Sequence, residues 1–141
     1  MEAKKRGTRR NNNAGQNFER SVMHLLRAAG FEHVVTTRSE SRGRDGQGID
    51  LMNKDELKHG RLPYNIQCKS LCEKAPYAVL LKGLPKGTGA VNVVFHKFTE
   101  KKPGGGFHPK GHYAILNMDD FIEMARELKE LKATSIKYLE P

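Results

Sequence analysis

Apolar residues recur at helical spacing through QNFERSVMHLLRAAGF, where Phe18, Val22, Leu25, Leu26 and Ala29 share one face. Gly30 stands where a helix commonly ends in a left-handed residue, and Asn12 or Asn13 can cap the other end. The period then shortens. HVVTTRS is rich in β-branched residues and reads as a strand, and the polar, glycine-dotted SESRGRDGQG reads as a loop. GIDLMN predicts a second strand, KDELKHG a turn, and RLPYNIQCKS a third strand. APYAVLLKGL predicts a short helix that Pro85 and Gly87 end. AVNVVFHKF is a strong strand, EKKPGGGFHPKG an exposed loop, and HYAILN a further strand. Asn117 and Asp120 make a capping pair for a final helix. Its apolar stripe is Phe121, Ile122, Ala125, Leu128 and Leu131. The order α-β-β-β-α-β-β-α implies an α/β domain with a central mixed sheet flanked by helices.

Residues 1–14 lie outside this pattern. They are basic, Asn-rich and nearly free of large apolar groups, and such a stretch buries too little surface to offset the cost of ordering it. The sequence thus predicts a flexible basic arm over 1–14 and one domain over 15–141. Charge sharpens this picture: 25 Lys and Arg stand against 16 Asp and Glu, a formal net charge of +9. An excess of that size favours a polyanionic partner, through release of counterions from a phosphate backbone. An RNA binder, a DNA enzyme and a binder of anionic membranes all satisfy it. No apolar run reaches the roughly 18 residues of a membrane span, and the N-terminus has no apolar signal-peptide core. With two cysteines, the expected setting is the reducing cytoplasm.

The chemistry concentrates in two of the predicted strands. Side chains alternate across a strand, so Ile66 and Cys68 share one face while Gln67 and Lys69 share the other. In GIDLM, Ile49 and Leu51 point one way and Asp50 the other. With the apolar members in the core, Asp50, Gln67 and Lys69 converge on one polar rim. Asp50 and the Gln67 oxygen are hard donors of the kind Mg²⁺ takes. A bound dication polarises a phosphodiester and acidifies its water, and Lys69 can orient that water or offset charge in the transition state. Glu19, at the edge of the first helix's apolar face, is the further carboxylate available.

Together, NFER with Glu19, the helix ending AAGF, the segment carrying Arg38 and Ser41, GID with Asp50 and QCKS with Gln67 and Lys69 resemble the PD-(D/E)xK nucleases. Within that superfamily they are most similar to the archaeal-type Holliday junction resolvases. The resemblance covers about residues 15 to 70. It implies a restriction-endonuclease-like fold and a Mg²⁺-dependent endodeoxyribonuclease of DNA recombination and repair, with Mn²⁺ able to substitute. It implies metal ligation by Glu19, Asp50, Gln67 and the backbone carbonyl of Cys68, with Lys69 completing the catalytic set. It implies contacts from Arg38 and Ser41 to the scissile region of branched DNA, and a homodimer that cuts opposed strands. Gln67 departs from the family's usual Glu in a way that some restriction endonucleases share, and its neutral amide weakens metal affinity and favours a one-metal site. A restriction- or repair-type nuclease on linear or single-stranded DNA is an alternative, as is a noncatalytic basic nucleic-acid-binding protein.

The stretch 38-RSESRGR-44 is either a plain flexible connection or a DNA clamp, and its three arginines beside the site, Arg38, Arg42 and Arg44, favour the clamp. Cys68 and Cys72 with His108 and His112 have zinc-like spacing, but Cys68 belongs to the apolar face and the histidines flank a glycine-rich loop. The glycines near residue 105 lack the strand-to-helix context of a phosphate loop. Lys4, Lys5, Arg6, Arg9 and Arg10 of the arm are expected to contact DNA phosphates. Deleting residues 1–13 should therefore weaken DNA binding and flatten its dependence on salt, since each phosphate contact contributes roughly 0.9 to the log–log slope. An unchanged slope in a salt titration of the two proteins would take the arm off the DNA.

Overall fold

In the computed structural model, which describes the backbone of residues 2–139 and the side chains of residues 13–137 and 139, the first helix (α1) spans Glu2–Ala28. Asn12 and Asn13 lie inside it rather than capping it. The reason is cooperativity. Once a helix is nucleated on an apolar face each further residue adds a bond, which here outweighs the weak helix propensity of Gly7, Gly15, Asn11, Asn12 and Asn13, and no proline intervenes. The phosphate contacts expected of Lys4, Lys5, Arg6, Arg9 and Arg10 fall on side chains outside the described residues. The other end closes as expected. Gly30 has φ 108°, Phe31 N–H donates to the Leu26 carbonyl at 2.9 Å, and Gly30 N–H donates to that of Arg27 at 3.1 Å, the paired bonds of a Schellman motif.

Next come β1 (Val34–Thr36), two single helical turns, α2 (Thr37–Glu40) and α3 (Arg42–Gly46), and then β2 (Leu51–Asn53). The first strand is shorter than HVVTTRS, and part of the expected loop is helical, because the buried Thr37 turns the chain by bonding across to the backbone before β2. Then follow α4 (Glu56–His59), β3 (Tyr64–Leu71), α5 (Tyr77–Gly83), β4 (Val91–Lys101), β5 (Phe107–Ile115) and α6 (Met118–Leu139). Most of EKKPGGGFHPKG is therefore not loop but the far end of the β4–β5 hairpin. The antiparallel ladder continues to Lys101 opposite Phe107, and the glycines confine the turn to residues 102–106.

The five strands form one mixed sheet in the order β1-β2-β3-β4-β5, with β3 and β4 parallel and every other pair antiparallel. This bears out the α/β, mixed-sheet class. On one face, Phe18 and Val22 of α1 pack against Val34, Leu51, Ile66 and Cys68. On the other, α5 is fastened to β4. His96, fully buried, donates from Nε2 to the Leu71 carbonyl at 3.3 Å, and its Nδ1 is hydrogen-bonded to Tyr77 Oη at 2.7 Å.

Two expectations about burial need correction. Leu25 is 67% exposed, because α1 overhangs the edge strand β5 there and leaves a shallow apolar groove beside Tyr113 and Ala114. Asn117 does stand at the N-cap of α6, where its carbonyl accepts from Phe121 N–H at 3.1 Å. Yet Phe121, Ile122, Leu128 and Leu131 are each more than half exposed. Periodicity tells which residues want cover but not what covers them. Among the described residues no helix is long and apolar enough to cross a membrane.

Candidate active site

β2 and β3 pair at Leu51 and Ile66 and then part. The last main-chain bond between them runs from Asp50 N–H to the Ile66 carbonyl, 2.8 Å. One step further on, Asp50 supplies its side chain in place of a main-chain partner, and Oδ2 accepts from Cys68 N–H at 2.7 Å. The N–H and C=O of an extended residue project to the same strand edge, so the Cys68 carbonyl also faces the opening. A parting of strands normally strands polar backbone. Here the carboxylate satisfies it and is itself fixed.

Asp50 is held from behind by Thr37, which sequence reasoning missed. Thr37 Oγ1 donates to the Ile49 carbonyl at 2.6 Å, and Thr37 N–H donates to the Asp50 carbonyl at 2.9 Å. A lone threonine at a strand end carries no signal of such a role. Gln67 lies across from Asp50, against Gly48. A Cβ at Gly48 would lie 3.2 Å from Gln67 Nε2 and push that amide aside, and Gly48 has φ 82°, a backbone conformation that favours glycine.

Glu19 reaches the same place from α1. It is 4% exposed, deeper than the edge position expected of it, and Arg38 holds it bidentately, Nε to Oε2 at 3.0 Å and Nη2 to Oε1 at 3.2 Å. The pairing raises the Arg38 pKa above its ordinary value, with the hydrogen bond to Glu19 as the main cause. Arg38, expected on DNA, is thus the counter-ion of an acid in the site. Glu19, Arg38, Asp50, Gln67, Cys68 and Lys69 line one cavity of about 610 Å³.

Of the loop that carries Arg38, Asp45 and Gly48 also line it, but Ser41, Arg42 and Arg44 do not. Ser41 caps α3, its Oγ accepting from Arg44 N–H at 3.3 Å. Arg44 is committed to Glu56 through contacts of 2.6 and 2.7 Å that tie α3 to α4. Arg42 is exposed. The Cys68 thiol is kept protonated by burial, with Asp50 and Glu19 adding to the effect.

Burial also pushes the Asp50 carboxyl up to about 7. Cys68 N–H opposes that shift, Glu19 adds to it by repulsion, and Lys69 and Arg38 pull it back down. Loss of hydration, more than any neighbouring charge, therefore disfavours the ionised form. Among the described residues no cluster of three or more His, Cys, Asp or Glu side chains is arranged for a metal. What lines the cavity is three carboxylates, those of Glu19, Asp45 and Asp50, with the Gln67 amide and the Cys68 carbonyl. In comparisons with protein-family models, curated proteins and solved structures, nothing matches the chain.

The raised Asp50 pKa makes stability depend on pH. The folded state holds this proton more tightly than the unfolded chain, whose ordinary value is 3.8. The resulting stabilisation is full below about pH 4, declines as the pH rises, and is gone above about 7, with a slope of at most about 1.4 kcal/mol per pH unit. In EDTA, thermal melts of the natural protein and of Asp50→Asn should therefore diverge between pH 4 and 7, the natural protein losing ground. A constant gap between the two curves across that range would mean that Asp50 titrates normally.

Proposed function

We propose that the protein is a divalent-metal-dependent DNA endonuclease with a restriction-endonuclease-like fold of the PD-(D/E)xK kind, acting on branched DNA of the four-way junction type. The observation that carries this reading is the parting of β2 from β3. It gathers Glu19, Asp50, Gln67, the Cys68 carbonyl and Lys69 in one cavity of a chain with net charge +9.

Charge supports a dication here. Asp50 is buried, poorly hydrated and protonated up to about pH 7, so a dication could take the place of that proton. Asp50, Glu19 and the oxygens of Gln67 and Cys68 would hold Mg²⁺, hard donors for a hard ion. When bound, it supplies an acidified water and a positive charge on the phosphodiester. The chain's own residues do the rest. Thr37 and Cys68 N–H fix the Asp50 carboxylate, Gly48 leaves room for Gln67, and the Lys69 ammonium faces the cavity where charge grows on the phosphoryl oxygens. Arg38 balances Glu19, and were a dication to take over that carboxylate, its guanidinium would be free to meet a phosphate.

Incubating labelled four-way junction, nicked duplex and linear duplex with Mg²⁺, Mn²⁺ or EDTA tests the reading. Metal-dependent cutting of the junction in preference to linear duplex supports it. Equal cutting of linear duplex points to a restriction- or repair-type enzyme, and binding without cutting in any metal refutes catalysis. Lys69→Ala is expected to lower turnover by about a hundredfold or more while leaving DNA affinity within about threefold. Gln67→Glu is expected to need less Mg²⁺ for half-maximal cutting, and Gln67→Leu more. A Leu variant that follows the natural protein across the titration would take Gln67 off the metal.

The exposed stripe of α6 supports a homodimer. Two copies laid antiparallel would cover Phe121, Ala125 and Leu128 and set Asp119, Asp120 and Glu123 against Lys129, Lys132 and Lys137. Light scattering should give the mass of a dimer for the natural protein and of a monomer for Leu128→Glu. A monomer mass for the natural protein at every concentration sinks this assembly.

A further inference from the structure

The β4–β5 hairpin outruns the rest of the sheet, with strands of 11 and 9 residues beside three-residue β1 and β2. Its register sorts the side chains onto two unlike faces. Phe95 lies opposite Ala114, Lys97 opposite His112, Thr99 opposite Pro109 and Lys101 opposite Phe107, and residues directly opposite in an antiparallel pair share a face. Phe95 packs against the core beneath α1, so this whole series is on the side of the cavity. The series reaches it: Lys97, Thr99, Phe107 and Pro109 line the same cavity as Asp50 and Lys69. Glu100, the one carboxylate between Lys97 and His112, is on the other face, where Lys110 pairs with it at 2.7 Å. The cavity side of the hairpin therefore carries cations with no acid among them.

Phe107 is the odd member. It begins β5 next to the turn, 54% exposed, too far out to join the core. A single exposed aromatic is ordinary. One that forms the wall of an acidic, lysine-bearing cavity, in a row of cations, has the composition of a single-strand platform, in which lysines hold phosphates and a ring stacks on a base.

We propose that the cavity side of the β4–β5 hairpin holds the DNA strand leaving the candidate active site, with Lys97 and Lys101 on its phosphates and Phe107 stacked on an unpaired base. Lys97 and Lys101 are about 13 Å apart along the strand, the rise of about four stacked nucleotides. Continuous duplex keeps its bases stacked on one another and offers the ring no face. A branch point or a single-stranded flap does. This contact rests on the reading that DNA enters the cavity, and it names the feature selected there, an unstacked base beside the cut.

The test is binding in EDTA, so that affinity is read without cleavage. Fluorescent four-way junction, splayed flap and linear duplex are titrated with the natural protein, Phe107→Ala, Phe107→Trp, Lys97→Ala and Lys101→Ala. Each DNA also carries 2-aminopurine at the branch or at the matching duplex position. Phe107→Ala should lose roughly tenfold in affinity for the two branched DNAs and keep its duplex affinity, with Phe107→Trp close to the natural protein. The 2-aminopurine at the branch should be quenched by the natural protein and by the Trp variant but not by the Ala variant. Each lysine variant should weaken binding to all three DNAs and lower the salt slope by about one. An equal loss on duplex and branched DNA, or quenching that survives Phe107→Ala, overturns the stacking contact. Selective binding of this kind by a protein that cuts nothing in Mg²⁺ or Mn²⁺ keeps the contact and removes the nuclease. Cutting that survives while Phe107→Ala binds normally does the reverse.

Discussion

The bond from Cys68 N–H to the Asp50 carboxylate is the joint around which the site is built. A sheet can open between two neighbouring strands only if the backbone groups it exposes find other partners. Asp50 supplies one at the point of opening, at 2.7 Å, and Thr37 holds the Asp50 main chain from the other side. With the gap propped in this way, Gln67, the Cys68 carbonyl and Lys69 face a common space instead of a neighbouring strand.

That economy has an electrostatic cost. A carboxylate fixed deep in the wall of a cavity is poorly hydrated, and its charged form is disfavoured up to about pH 7. Glu19, buried close by, adds repulsion, and Arg38 keeps that second acid in place through a two-point ion pair. Arg38 thus belongs to the interior balance of the site, although its position in an arginine-rich loop reads as a surface clamp. Arg44 is similarly spent on Glu56. Of that loop's arginines, Arg42 alone is exposed without such a partner among the described residues.

The two elements that extend from the body of the sheet carry opposite characters. The hairpin presents lysines and one aromatic toward the cavity, while α6 presents a hydrophobic stripe flanked by acids at its start and lysines toward its end. The near end of the hairpin joins the core under α1 through Phe95, but the far end of the hairpin and the stripe of α6 stand outside it. Surface that a small domain does not need for its own stability is available for recognition.

The sequence by itself determined the order of the major elements, the α/β class, the buried faces of GIDLM and YNIQCKS, and the meeting of Asp50, Gln67 and Lys69. Each of these follows from local periodicity, which needs only the neighbours along one strand or helix. Gly30 was legible for the same reason, since a helix end is a local event. Tertiary structure alone decided that Thr37 anchors Asp50, that Arg38 turns inward to Glu19, and that Leu25 overhangs an edge instead of entering the core. It also decided that the glycine-rich stretch after β4 is the tip of a long hairpin. These depend on which segments become neighbours across the sheet, and residues 12 to 19 positions apart in sequence carry no periodic trace of such pairings. The extension of α1 to Glu2 lies between the two cases: composition argued for disorder, and the cooperative growth of a helix already nucleated on the core carried the backbone further.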